Sequence, residues 1–124
     1  MRSQMAEGFL RFHAGERFEV ASAGTHPMGQ VIPDVIEVMA EKGVDIRHHT
    51  SDAIDPALVE RSLHIIDLGG RGRERIPAAF RSRYEHWRIQ DPYGMGMAGL
   101  REIRDLIEAR VVEFVKTWSA AKTP

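Results

Sequence analysis

The chain has 124 residues, 43% of them hydrophobic, with 17 basic residues against 18 acidic ones, a formal charge of -1 and no cysteine. That length supports one globular domain, 1–124, with a single core. The balanced charge, with no long run of one sign, excludes the broad electrostatic footprint of a nucleic-acid binder, and no apolar run approaches a membrane span or a signal-peptide core, so the chain reads as cytoplasmic. Disulfides, thiolate metal sites and a cysteine nucleophile are excluded within these residues.

From Ser3 onward Met5, Phe9 and Leu10, with Phe12 close by, fall at helical spacing, and Ala6 and Glu7 are good helix formers. A helix therefore begins almost at residue 1. Phe18, Val20 and Ala21 form a short β-prone run, ended by the Gly, Thr and Pro cluster of "SAGTHPMG". "IPDVIEVMAEKG" predicts a helix with Pro33 in its first turn, Val35, Ile36, Val38 and Met39 on its apolar face and Gly43 as its stop. "VDIRHHTSDAI" is a polar connection; "DPALVERS" predicts a short helix with Asp55 as N-cap; "LHIIDL" predicts a buried strand.

Gly69, Gly70 and Gly72 lie among Arg71, Arg73 and Arg75, which predicts a mobile, solvated loop, and the arginines of "GGRGRERIPAAFRSR" read as a solvated face rather than a site for an acidic partner. "YEHWRIQDPYG" holds a further short strand closed by Asp91 and Pro92. Leu100, Ile103, Ile107, Val111, Phe114 and Trp118 then step by three and four along a long amphipathic helix. Strands alternating with helices make this an α/β domain with a short, mainly parallel sheet.

The adjacent His48 and His49 point in different directions and lack a third ligand at useful spacing, so zinc is disfavoured. His64 and His86 read as satisfied sheet residues, and Met95 and Met97 as packing over the core mouth or lying in a loop. No motif implies a cofactor.

Taken in order, "RSQMAEGFLR", "FEVASAGTHPMG", "IEVMAEKGVDI", "HWRIQDP" and the terminal amphipathic helix resemble the low-molecular-weight protein tyrosine phosphatase and arsenate reductase family over nearly the whole chain. The resemblance implies a three-layer α/β/α fold. In that family the first strand runs into a phosphate-binding loop of pattern Cys-x5-Arg-Ser. Arg2 and Ser3 match the Arg and Ser, so the resemblance places the first strand, the cysteine and most of the loop before residue 1. It gives Arg2 the role of guanidinium fork on a phosphate-like oxyanion, Ser3 that of the hydroxyl orienting the nucleophile, and Asp91 that of general acid. Asp91 before Pro92 is equally a turn former. Thioredoxin-coupled arsenate reductases of the family carry two further cysteines; here Gly69 and Ile76 stand roughly in their places, which tilts the implied activity towards hydrolysis of phosphotyrosine or a small phosphate ester.

The family's first strand is central, between the stretches resembling "FEVAS" and "LHIIDL". Without it the two could pair directly, a strand from another chain could enter, or the protein could fold poorly. The expectation is a compact α/β fold with a reduced or rearranged sheet, with a homodimer as one means of covering the exposed edge. Functionally the chain is expected to be either an inactive shortened form of such an enzyme or a non-catalytic anion-binding or interaction module. Neither a nucleic acid nor a membrane is an expected partner.

Overall fold

The computed structural model describes residues 1–23, 32–49, 54–69, 74 and 76–122. Helices α1 (Arg2–Ala14), α2 (Pro33–Ala40), α3 (Pro56–Arg61) and α4 (Gly96–Lys122) accompany strands β1 (Ile65–Asp67) and β2 (Tyr84–His86), with 3-10 turns at Gly15–Arg17 and Ala78–Arg83. The strands pair in parallel, Ile65 opposite Tyr84 and Asp67 opposite His86. Among the described residues the sheet is these two strands alone.

Helix α1 is embedded rather than laid on the surface: Gln4, Met5, Ala6, Glu7, Gly8 and Phe9 are all buried. Gly8 makes this possible, because a Cβ there would stand 2.9 Å from Ile46 Cγ2 and 3.0 Å from Met39 Cε. Pro33 opens α2 at a position where no intrahelical donor is lost, and Gly43 (φ +76°) turns the chain out of it. Asp55 caps α3 by accepting from the Ala57 N–H. Helix α4 is the spine of the core, burying Leu100, Ile103, Ile107, Val111 and Val115 against α1 and α2. Two arginines fasten α4 to α2: Arg101 donates to the Glu41 carboxylate, and Arg104, 6% exposed, donates to the Val38 carbonyl and to Glu41 at the end of α2, where carbonyls lack intrahelical partners.

Four expectations need correction. Residues 18–21 belong to no strand among the described residues, although the Phe18 backbone is extended (φ -129°, ψ 142°). Phe18 is instead held by side chains, its ring 6.3 Å from Phe114 and 6.0 Å from Trp118. Phe12 is 55% exposed and turned edge-on to His13, since the neighbouring positions of α1 already fill the core face. The connection after Gly43 is not wholly polar: Val44 and Ile46 are core residues packed at Gly8. Arg83 is structural, donating to the Glu60 and Ser62 carbonyls and lying over Phe80. Arg71, Arg73 and Arg75 lie outside the described residues.

Candidate oxyanion site

The start of α1 and the loop after β2 converge on one mouth. Arg2 sits in the first turn of α1; its Nη1 donates to the Ile89 carbonyl at 2.6 Å, and its Nη2 lies 3.7 Å from Asp91 Oδ2. The bond to Ile89 fixes the guanidinium plane and leaves the other nitrogen facing the mouth. Asp91 is half-exposed, and its Oδ1 accepts the Tyr93 N–H at 3.0 Å, the local bond that makes an Asp before Pro a turn former. One oxygen thus builds the turn while the other faces Arg2. Ser3 lines the same cleft, one residue along α1.

The opposite lip is the end of β1. The Gly69 N–H donates to Asp67 Oδ1, and a side chain at Gly69 would begin 3.8 Å from Arg2 Nη2. Tyr84 on β2 donates its hydroxyl to Asp67 Oδ2. The parallel register makes that pairing possible by setting β1 and β2 side by side. Neither Asp67 nor Tyr84 stands out in the sequence; only the strand pairing brings them to the mouth. Ile76 also lines this cleft, with its side chain buried.

Behind the mouth runs a cleft of about 1490 Å³. One wall is the stretch 17–23, the other is 61–69 including β1, and Leu58 of α3 and Phe114 and Trp118 of α4 contribute to the lining. The first wall is fastened to α1 through Glu7, a buried carboxylate that accepts from Ser22 Oγ at 2.5 Å and from Arg11 Nε at 3.1 Å, while Arg11 also donates to the Val20 carbonyl. His49 Nδ1 lies 3.3 Å from the same carboxylate without making a hydrogen bond to it. Burial holds the His49 pKa below its ordinary value, against the opposing pull of Glu7. His49 is therefore part of the scaffold under the cleft. His64 on the far wall pairs with Glu85 at 2.9 Å, the satisfied role the sequence predicts for it.

A family model for low molecular weight phosphotyrosine protein phosphatase matches residues 1–123. Arsenate reductase 1 of Staphylococcus haemolyticus is 38% identical over 117 residues, 94% of this chain and 87% of that protein. An arsenate reductase of Bacillus licheniformis is 34% identical over 123 residues, 94% of this chain and 88% of that one. Among solved structures, an arsenate reductase in the reduced state superposes with a TM-score of 0.81 at 32% identity, covering 94% of this chain and 88% of its own. Vibrio vulnificus Wzb in complex with benzylphosphonate superposes with a TM-score of 0.84 at 23% identity, covering 94% and 90%, a likeness of fold. By the family model and by identity with its relatives over most of their length, this chain belongs to the low molecular weight phosphotyrosine protein phosphatase family.

Proposed function

We propose that the cleft mouth binds a phosphate-like oxyanion, and that the 124 residues, having no cysteine, hold the anion without turning it over. One observation carries this reading: Arg2 Nη2 stands 3.7 Å from Asp91 Oδ2 at the first turn of α1. A guanidinium at the first turn of a helix suits a tetrahedral anion, and a carboxyl group across from it is placed to protonate a leaving oxygen. In this reading Arg2 and Ser3 hold the anion and Asp91 is the acid of the parent phosphomonoester chemistry. The covalent step of that chemistry needs an activated nucleophile, which Ser3 does not become without a base.

Relatives named arsenate reductase support a second form of the reading, in which the anion is arsenate. Reduction of arsenate to arsenite takes two electrons from thiols; with none in these residues, this form too stops at binding. The protein then acts as an anion-binding or interaction module.

Calorimetric titration with phosphate and with arsenate, alongside hydrolysis of an aryl phosphate, tests this. Expected are binding on the order of millimolar, equivalent to about 4 kcal/mol, its loss in Arg2→Ala, hydrolysis at the background rate, and no change of rate in Asp91→Asn. Turnover abolished by Asp91→Asn would mean that another nucleophile or an activated water acts here. Absence of anion binding would remove the reading altogether.

A further inference from the structure

The lip across the mouth from Asp91 carries a second carboxylate, to which anion binding alone gives no role. Asp67 closes β1, and both of its oxygens accept hydrogen bonds: Oδ1 takes the Gly69 N–H at 3.0 Å and Oδ2 takes the Tyr84 hydroxyl. The first bond is an Asx turn that leads the chain out of β1. The second crosses to β2, where the parallel register sets Tyr84 beside Ile65. Donors from two elements thus fix the side chain, and its charge stands at a set place.

Gly69 shows what that place faces. A Cβ on Gly69 would lie 3.8 Å from Arg2 Nη2 and 4.0 Å from Asp67 Oδ1. Guanidinium and carboxylate therefore border one point from two sides, and because residue 69 carries no side chain the point is left to a ligand. Asp91 is engaged differently, since its Oδ2 faces the guanidinium itself at 3.7 Å and its Oδ1 accepts the Tyr93 N–H. Arg2, Asp67, Gly69 and Tyr84 all line the same cleft.

An oxyanion held on Arg2 Nη2 is brought beside the Asp67 carboxylate, and like charges a few ångströms apart cost affinity. A ligand that carries a cation next to its anionic group turns this repulsion into attraction, and the same carboxylate then discriminates against the plain anion. The nearness of Arg2 and Asp67 requires both ligand charges within one small molecule. With bonds of about 1.5 Å, an ammonium two carbons from an ester oxygen meets that requirement, whereas a long arm carries the cation past the lip.

We infer that Asp67 sets the ligand class of the mouth: a zwitterionic phosphate monoester, its phosphate on Arg2 and its ammonium group on Asp67, with Tyr84 as the positioning residue that holds Asp67 in place. This rests on the anion-binding reading and specifies it.

Calorimetric titration of the whole chain compares O-phosphoethanolamine with propyl phosphate, which has the same shape and lacks the ammonium group. At about pH 8 both phosphates are dianionic and the ammonium is charged. O-phosphoethanolamine is expected to bind roughly tenfold more tightly, the scale of one charge pair at a partly exposed site. Asp67→Asn keeps the turn, since its amide oxygen still accepts the Gly69 N–H, and is expected to abolish the preference while tightening propyl phosphate by roughly threefold. Equal binding of the two esters to the unaltered chain overturns the inference and leaves the anion-binding reading standing, and this comparison needs no variant to fold. A preference that persists in folded Asp67→Asn also overturns it. If neither ester binds, the anion-binding reading falls and this inference falls with it.

Discussion

At the scale of single residues, the carboxylate that organises the most is Glu7. Its two oxygens gather Ser22 and Arg11, and it lies beside buried His49, so that the extended wall of the cleft, helix α1 and the turn after Ile46 meet at one group. In the sequence it reads as one more good helix former. A helical glutamate ordinarily faces water, and only the depth to which α1 is embedded turns it inward. Glu7→Gln keeps the shape but loses the charge-assisted bond to Arg11, and is expected to cost about 1–3 kcal/mol, read as a lower urea midpoint with an unchanged slope. A cost below a few tenths would show the cluster to be incidental. Arg2 and Asp91 were legible in another way. Their motifs named them, whereas their approach across almost the whole chain belongs to the fold.

Element by element, the helices follow the sequence closely. The Asp55 cap, Pro33 at the start of α2 and Gly43 after it are local devices, and local devices can be read without knowing the fold. Gly8 is different. Alanine there would raise helix propensity by about 1 kcal/mol, yet its methyl would meet Ile46 Cγ2 at 2.9 Å, and the branched Ile46 has little room to give. Overpacking costs about 1–3 kcal/mol, so Gly8→Ala is expected to lower stability and the melting temperature; a rise would mean that Ile46 and Met39 move aside.

The seam between α2 and α4 responds to acid. Hydrogen bonds from Arg101, and then from Arg104, hold the Glu41 pKa at about 2, below its ordinary 4.5. A carboxyl depressed in the folded state binds protons more readily when unfolded, so its contribution is complete above about pH 4.5 and is lost as pH falls towards 2. Melting temperature against pH should therefore fall less steeply in Glu41→Gln than in the unaltered protein over that interval. Parallel curves would remove Glu41 from the seam's acid response.

For the whole molecule, α4 carries the core and the small parallel sheet holds up the cleft mouth. Ile107 is fully buried at the middle of that spine. Ile107→Ala is expected to cost about 2–5 kcal/mol through lost burial and the cavity left behind, a large fraction of a domain's usual 5–15 or so. A urea midpoint close to that of the unaltered protein would show that the core closes over the gap. The expected reduced sheet is what the described residues form. The expected strand at 18–21 is not, and the reason is one of reach: a β-prone run becomes a strand only when another backbone lies beside it, and here the space beside it is the cleft.

The sequence by itself determined the α/β class, the places where helices start and stop, the amphipathic face of α4, and the absence of a thiol among these residues. All of these rest on spacing and composition within a few turns of chain. Tertiary structure alone decided that Arg2 meets Asp91, that Glu7 and His49 are buried together, that Gly8 is the point where α1 touches α2, and that a cleft lies beside β1. Each of these depends on parts of the chain distant in sequence, whose meeting is fixed by how the whole core packs.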